Sequence, residues 1–214
     1  RWKDEIDICW APPADVKNIY YWKDPASGFS FYTPFELAGD ASLYDQLQDF
    51  DWYYTSNKWE FQQALIWIKG ETCSRSLLEI GVGRGYFLEQ ARTNGLEPVG
   101  VELNPRAAVL ARSKGFEVLM EPLNVIKDRK SHAKWDVVCS FQVLEHISDP
   151  LLFLREASEL LHEDGILILS VPNADVSEKL DPSRELDLLD QPPHHMGHWN
   201  QTVFNYLPKL LPLK

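Results

Sequence analysis

The chain has 214 residues, 44% hydrophobic and 25% charged, a composition that suits one globular domain with an appendage and leaves too little chain for a second full core. No run approaches the roughly 18 apolar residues that a membrane-crossing helix requires. The net charge of −11, with no basic block, argues against a nucleic-acid substrate, whose phosphates are held by Lys and Arg.

The three cysteines (Cys9, Cys73 and Cys139) are odd in number and widely spaced, so neither a disulfide framework nor a zinc ligand set is expected. Residue 1 is Arg and no charged-then-apolar leader follows it, so the expected location is the cytoplasm.

The first element is a hairpin in "NIYYWKDPASGFSFYTP", with Asp24 to Gly28 as its turn. "SLYDQLQDFDWYY" follows as helix and then loop. Residues 1–57 are therefore read as a hairpin and lid appendage, and 58–214 as the main domain. Phe61, Ala64, Leu65 and Ile68 recur on one helical face, and Gly70 is expected to close that helix.

Apolar strands then alternate with helices. The strands are Leu77–Ile80, Pro98–Glu102, Phe116–Met120, Asp136–Phe141 and 166–173. Asn94-Gly95 ends the first intervening helix. Asn104 caps the second, with Pro105 at its first position, and Gly115 ends it. Asp149-Pro150 opens another that runs to about Leu161, where "EDG" turns the chain into the fifth strand. Strands apolar on both faces belong to a buried parallel sheet, so the expected fold is α/β, a Rossmann-like doubly wound parallel sheet with helices on both faces.

Between the first strand and its helix lies "LLEIGVGRGYF". The Lys-Ser/Thr pair of a phosphate-cradling loop is absent, and Tyr86 stands where a dinucleotide fingerprint carries its last glycine. Glycines at 81, 83 and 85, with Glu79 just ahead, suit a ligand with a cationic amino-acid end. Glu102, at the tip of the second strand, can accept both hydroxyls of a ribose. A glycine-rich turn without a ligand is the bland alternative.

Four stretches, "LLEIGVGRGYF", "VGVELNP", "WDVVCSFQVLEHISDP" and "DGILILSVPN", occur in the order and spacing of class I S-adenosylmethionine-dependent methyltransferases, which the chain resembles from about Lys58 to Asn205. Phe141–His146 and the late Pro192–Trp199 are similar to the bacterial group that includes ubiquinone-biosynthesis O-methyltransferases. That resemblance implies S-adenosylmethionine as cofactor. Gly81, Gly83 and Gly85 would pack against its methionine part, with Glu79 near the amino group and Glu102 on the ribose. Glu121 would neighbour the adenine amine, and Ser140, Phe141 and Gln142 would lie under the sulfonium. Lys58 reads either as a partner of the cofactor carboxylate or as an exposed lysine at a helix start.

Methyl transfer to oxygen calls for a base near neutral pKa, which points to histidine. His195, His194 and His146 are the catalytic candidates, His195 first. The alternative for Pro-Pro-His-His is a rigid loop whose imidazoles bond backbone carbonyls. His162, next to a turn, is read as solvated, and His132, in a polar loop, is set aside. Glu145, His146, His195 and His198 also resemble the E-x-x-E-H and H-x-x-H ligands of metal-dependent small-RNA 2′-O-methyltransferases, but Gln142 replaces the first acid, and no metal is assigned.

Phe50, Trp52, Tyr53, Tyr54 and Trp59 form either a lid or the packing of an N-terminal helix. The tail after Trp199 reads as one helix broken at Pro208, without the last two strands usual in such domains, so the domain is read as C-terminally truncated, with an exposed edge that favours a homodimer. The expected activity is methyl transfer to a small-molecule or sugar acceptor at oxygen, and the alternative is a non-catalytic cofactor-binding scaffold.

Overall fold

The computed structural model describes residues 8–71, 76–128, 134–176 and 188–211; Cys73 and His132 lie outside them. The central sheet has five strands, β3 (Ser76–Ile80), β4 (Glu97–Val101), β5 (Glu117–Leu119), β6 (Trp135–Phe141) and β7 (Leu161–Ser170). Their order is β5-β4-β3-β6-β7, and every pairing is parallel. β3 and β6 adjoin at the centre, where the winding reverses and a ligand crevice opens beyond the strand C-termini.

Strand alternation divides the core into two faces. Leu77, Val137, Cys139 and Phe141 pack with Phe61, Ala64, Leu65 and Ile68 of α2 (Trp59–Glu71) and Phe87 and Ala91 of α3 (Tyr86–Thr93). Leu78, Ile80 and Val138 pack with the helices of the other face: α5 (Leu123–Asp128), α6 (Pro150–Glu159) and α7 (Gln201–Tyr206). α4 (Pro105–Ser113) meets α3 through Ala108, Ala111 and Leu88. Glu79 interrupts this pattern, being 3% exposed in a strand whose other core positions are apolar.

The caps follow the sequence closely. Asn104 accepts hydrogen bonds from the backbone N–H groups of Arg106 and Ala107 at 2.9 and 3.2 Å, and Asp149 from that of Leu152 at 3.0 Å. These side chains satisfy donors that a helix start leaves open.

Most strand ends shift by a residue, the fifth strand ends at Ser170 rather than 173, and two helix boundaries differ from expectation. α2 continues through Gly70 to Glu71. α6 ends at Glu159, and Leu161 already pairs with Trp135 before the register shifts to Val137↔Ile166. "HEDG" is thus an irregularity within β7 rather than a turn preceding it. Gly165 fits there because a Cβ would meet the Leu161 side chain at 2.9 Å and the Asp136 carbonyl at 3.1 Å.

The hairpin consists of β1 (Tyr20–Lys23) and β2 (Ser30–Thr33). It is joined to the main body: β2 also pairs antiparallel with β8 (Gly197–His198), inside the histidine stretch. α1 (Ala41–Leu47) follows, capped by Asp40 accepting from the Leu43 N–H at 3.0 Å, and its Leu43 and Leu47 pack with Ile8 and Leu188. After Trp199 come α7 and a short 3-10 turn at Leu207–Lys209 containing Pro208. Among the described residues no further strand joins the parallel sheet, and no helix is long and apolar enough to cross a membrane.

Candidate active site

A cavity of about 870 Å³ opens over the C-terminal ends of β3, β4 and β6. Its rim is built from the glycine loop, the tip of β4, Glu121 to Leu123, and the turn after β6. Tyr44 of α1 and the aromatic segment Trp52–Tyr54 cover it, and His194 and His195 close the far end.

Two arginines hold that cover in place. Arg84, within the glycine loop, donates to the Gln48 carbonyl at 2.6 Å and lies 5.5 Å from the centre of the Tyr54 ring. Arg106 of α4 reaches Asp49 at 2.7 Å. Both of those side chains are more than half exposed, so this pair fixes position more than it adds stability.

The glycine loop is shaped by close approach. Gly83 has φ +51°, and a Cβ there would stand 2.4 Å from the Tyr54 ring. Gly85, φ +74°, starts α3, and its Cβ would meet that of Ala111 at 3.0 Å. Gly81 and Gly83 line the cavity, whereas Gly85 lies outside its lining and serves the packing of α3 on α4.

Two acids face the same end. Glu102 accepts from the Gly83 N–H through Oε2 and from the Asn104 N–H through Oε1, each at 2.8 Å. Burial raises its pKa, and these amide bonds oppose the rise. Glu79 is fully buried, and its Oε2 has no hydrogen-bond partner among the described residues. Burial and then the field of Glu102 push its pKa well above the ordinary carboxylate value, against the pull of Lys58. A buried, unpartnered acceptor on a cavity wall is costly unless a ligand donor meets it. The amino group and ribose hydroxyls of S-adenosylmethionine supply donors of that kind, so the residues present fit this cofactor.

Lys58, Glu121, Phe141 and Gln142 also line the cavity. Phe141 packs on Phe87 at 4.6 Å and Phe61 at 5.1 Å between ring centres. Gln142 holds a left-handed backbone (φ +57°), a strained geometry that tends to collect at functional sites. Ser140 departs from expectation: its hydroxyl donates to the Ile80 carbonyl at 3.0 Å, and the side chain is buried in the sheet outside the cavity lining. Phe141, the next residue along the strand, lines the cavity in its place.

At the opposite end His146, His194 and His195 gather, with one nitrogen of each ring lying within 4.8 Å of the others. The Nδ1 atom of each ring faces an oxygen. His146 Nδ1 bonds the His194 carbonyl, His194 Nδ1 the Leu189 carbonyl at 2.9 Å, and His195 Nδ1 the Asp190 carboxylate at 2.9 Å. Burial and then the neighbouring imidazoles lower the His146 pKa far below its ordinary value. Burial works to raise the Asp190 pKa, but the bond from His195 and the field of His198 outweigh it and hold it low.

Glu145 lines the cavity beside His146 and is 2% exposed, with Oε2 lacking a partner among the described residues. Burial raises its pKa to about 8, against the field of Lys58. His198 does not join the group, because its Nδ1 bonds the Tyr21 hydroxyl at 2.9 Å and its Nε2 the Asp190 carbonyl at 3.0 Å. The H-x-x-H spacing of His195 and His198 therefore does not mark one ligand pair. His162 is exposed on β7.

Asp190 and Tyr44 are site residues that sequence reasoning passed over. Only Asp190 carried a signal, an acid five residues before His195 on a Pro-Pro turn. Of the aromatic stretch, Trp52, Tyr53 and Tyr54 line the cavity; Trp59 is 74% exposed, and Phe50 packs in the cluster around Leu43.

Fold and site together define a doubly wound α/β domain with a ligand cavity at its switch point, lined by Glu79 and Glu102 beside the glycine loop and by three grouped imidazoles beside Glu145. Residues 63–207 match the family model described as a methyltransferase domain. The chain belongs to that family, the class I S-adenosylmethionine-dependent methyltransferases.

A probable S-adenosylmethionine-dependent methyltransferase of Mycobacterium tuberculosis is 32% identical over 100 residues, 47% of this chain and 36% of the relative. A ubiquinone biosynthesis O-methyltransferase of Azorhizobium caulinodans is 35% identical over 104 residues, 47% and 41% of the two chains. The chain thus spans well under half the length of these curated relatives. Among solved structures, a SAM-dependent methyltransferase from Archaeoglobus fulgidus superposes with a TM-score of 0.54 at 20% identity, covering 70% of this chain and 66% of that one. The plantazolicin methyltransferase BpumL in complex with SAH gives 0.52 at 18% identity, covering 69% and 59%. At such identities these structures establish the fold alone.

Proposed function

We propose that the chain binds S-adenosylmethionine and transfers its methyl group to a hydroxyl oxygen of a small molecule or sugar. The observation that carries this reading is Glu79, a buried carboxylate with an oxygen unpartnered among the described residues on the wall of the cavity, next to the lip formed by Glu102 and Gly83. When bound, the cofactor supplies a methyl group on a positively charged sulfur, activated for in-line displacement.

The chain's own residues then have separable tasks. Glu79 accepts from the amino group, and Lys58 faces the carboxylate. Glu102 takes the ribose hydroxyls through lone pairs that its two backbone bonds leave over, and Glu121 stands by the adenine. Phe141 and Gln142 wall the reacting sulfur, and Gly81 and Gly83 let the backbone approach. Aligning acceptor and methyl supplies much of the rate. His195, held by Asp190, activates the acceptor hydroxyl through Nε2. Burial, before any neighbouring charge, raises the pKa of Tyr44, Tyr53 and Tyr54, so at neutral pH they remain proton donors able to orient an acceptor.

The acidic net charge favours a small acceptor over a polyanion. A cytoplasmic location and a homodimer formed through a sheet edge belong to the same proposal. The test is incubation with methyl-labelled S-adenosylmethionine and a panel of sugars, phenols and other hydroxylated small molecules. Transfer to an acceptor, abolished by Glu102→Ala, supports the reading. Tight cofactor binding without transfer to any acceptor supports a non-catalytic cofactor-binding domain.

A further inference from the structure

We infer that His146, His194 and His195 form a binding site for one borderline divalent metal ion of the zinc class, at the acceptor end of the cavity. The three side chains converge. One nitrogen from each ring lies within 4.8 Å of the others, and the ring centres are 4.4, 4.6 and 5.1 Å apart. Zinc held at about 2.0–2.1 Å by tetrahedral ligands separates them by roughly 3.3 Å, so a contraction on the order of 1 Å closes the set around an ion.

The second observation is orientation. Every Nδ1 of the group faces an oxygen, from the His194 carbonyl, the Leu189 carbonyl and the Asp190 carboxylate. An imidazole that donates through Nδ1 presents the lone pair of Nε2, and this outer bond is the usual companion of a metal-bound histidine. Asp190 supplies a carboxylate in that role. Three rings from two separate chain segments are each fixed through Nδ1, two by backbone carbonyls and one by a carboxylate.

The third observation is charge. Glu145 stands beside the group, its Oε1 4.0 Å from His146 Nε2 and its Oε2 buried without a partner among the described residues. A dication next to it answers that uncompensated oxygen. Nitrogen donors select zinc-class ions over magnesium and calcium, which prefer oxygen. The set differs from one read from H-x-x-H spacing, because both ring nitrogens of His198 are already bonded.

All three histidines face the cavity, so a position on the ion stays open to an acceptor. This part rests on the methyl-transfer reading. The ion binds the acceptor oxygen and weakens its O–H bond, and the proton leaves to water. The oxygen lone pair forms the O–CH₃ bond as the S–CH₃ bond breaks and sulfur recovers its electron pair. His195 then acts on the hydroxyl through the ion held on Nε2.

The test is titration of the whole metal-stripped chain with Co²⁺, followed by its visible absorption, and with Zn²⁺ by calorimetry. The expected result is one ion per chain at micromolar or tighter affinity, an intense tetrahedral-type cobalt spectrum, and no binding of Mg²⁺ in that range. His194→Asn and His195→Asn should each weaken binding at least 100-fold, with His198→Asn and His162→Asn near the parent. Absence of Co²⁺ and Zn²⁺ binding below millimolar overturns the inference, and this arm needs no variant. Unchanged binding in a folded His194→Asn protein overturns it as well. S-adenosylmethionine binding is measured on the same samples: its loss alone counts against the cofactor reading, and loss of metal binding alone counts against the metal site.

Discussion

The Glu102 carboxylate accepts the Gly83 N–H at 2.8 Å, tying the tip of β4 to the middle of the glycine loop after β3. Its other oxygen takes the Asn104 N–H, also at 2.8 Å, and Asn104 in turn caps α4. One side chain therefore sets the loop, the strand tip and the next helix relative to one another. A carboxylate has about four lone-pair positions, so two remain for ligand hydroxyls.

Gly83→Ala is expected to damage the site through its cover. The left-handed backbone costs an alanine roughly 1–2 kcal/mol, and the new Cβ meets the Tyr54 ring at 2.4 Å, displacing the roof. Gly95→Ala carries the same backbone penalty but has nothing within 4 Å of its Cβ. Both variants should lose similar thermal stability from the backbone, and only Gly83→Ala should lose cofactor affinity, by tenfold or more. Equal affinities by calorimetry would remove Tyr54 from the site.

Binding should be linked to protons through Glu79. In the ligand-free protein, burial and then Glu102 raise its pKa well above 4.5. Its raised folded pKa favours the protonated form, and the associated stability is lost as pH rises through that value. A cationic amino group favours the carboxylate, so binding releases a proton, and affinity should increase with pH from about 4.5 upward until Glu79 is already ionised in the free protein. Titrations in two buffers of different ionisation enthalpy measure that proton; proton uptake on binding would contradict the assignment.

Removing His195 should separate chemistry from cofactor binding. Positioned acid–base or equivalent activation contributes about 10²–10⁴ in rate. His195→Ala should therefore lower kcat by at least about 10² and leave S-adenosylmethionine affinity within twofold. Asp190→Asn, which alters the group that orients the ring, should lie between that variant and the parent. A His195→Ala enzyme with parental kcat would show that the imidazole is structural.

The fold depends on an aromatic triad behind the site. Phe87 is fully buried between Phe61 and Phe141, with ring centres at 5.2 and 4.6 Å. Phe87→Ala should cost about 3–5 kcal/mol, read as a lower denaturant midpoint. A loss below about 1 kcal/mol, the range of well-tolerated apolar swaps, would mean that the core closes around the gap.

Local signals carried most of the sheet into view. Asn104-Pro105, Asp149-Pro150 and Asn94-Gly95 punctuate the helices because capping and left-handed backbone depend on a few neighbouring atoms. Glu79 stood out as an acid in an apolar strand. Tertiary facts were less legible. Ser140 shares a stretch with Phe141 and Gln142, but its hydroxyl donates to the Ile80 carbonyl. The spacing of His195 and His198 suggested a pair, yet β8 pairs with β2 and brings His198 to Tyr21. Asp190, Tyr44 and Tyr53 come together only through packing of α1 and the loop before β8, which no local pattern encodes.

The proposed function stands or falls on recognition of S-adenosylmethionine by Glu79 and Glu102. Calorimetric titration of the chain with S-adenosylmethionine, its demethylated product and NAD, repeated on Glu102→Ala, tests this most directly. Hydrogen bonds to a charged group are each worth about 1.5–3 kcal/mol. The account predicts micromolar binding of the first two ligands, at least tenfold weaker binding in Glu102→Ala, and no comparable affinity for NAD. Binding of NAD but neither sulfur ligand, or sulfur-ligand binding indifferent to Glu102, would contradict it.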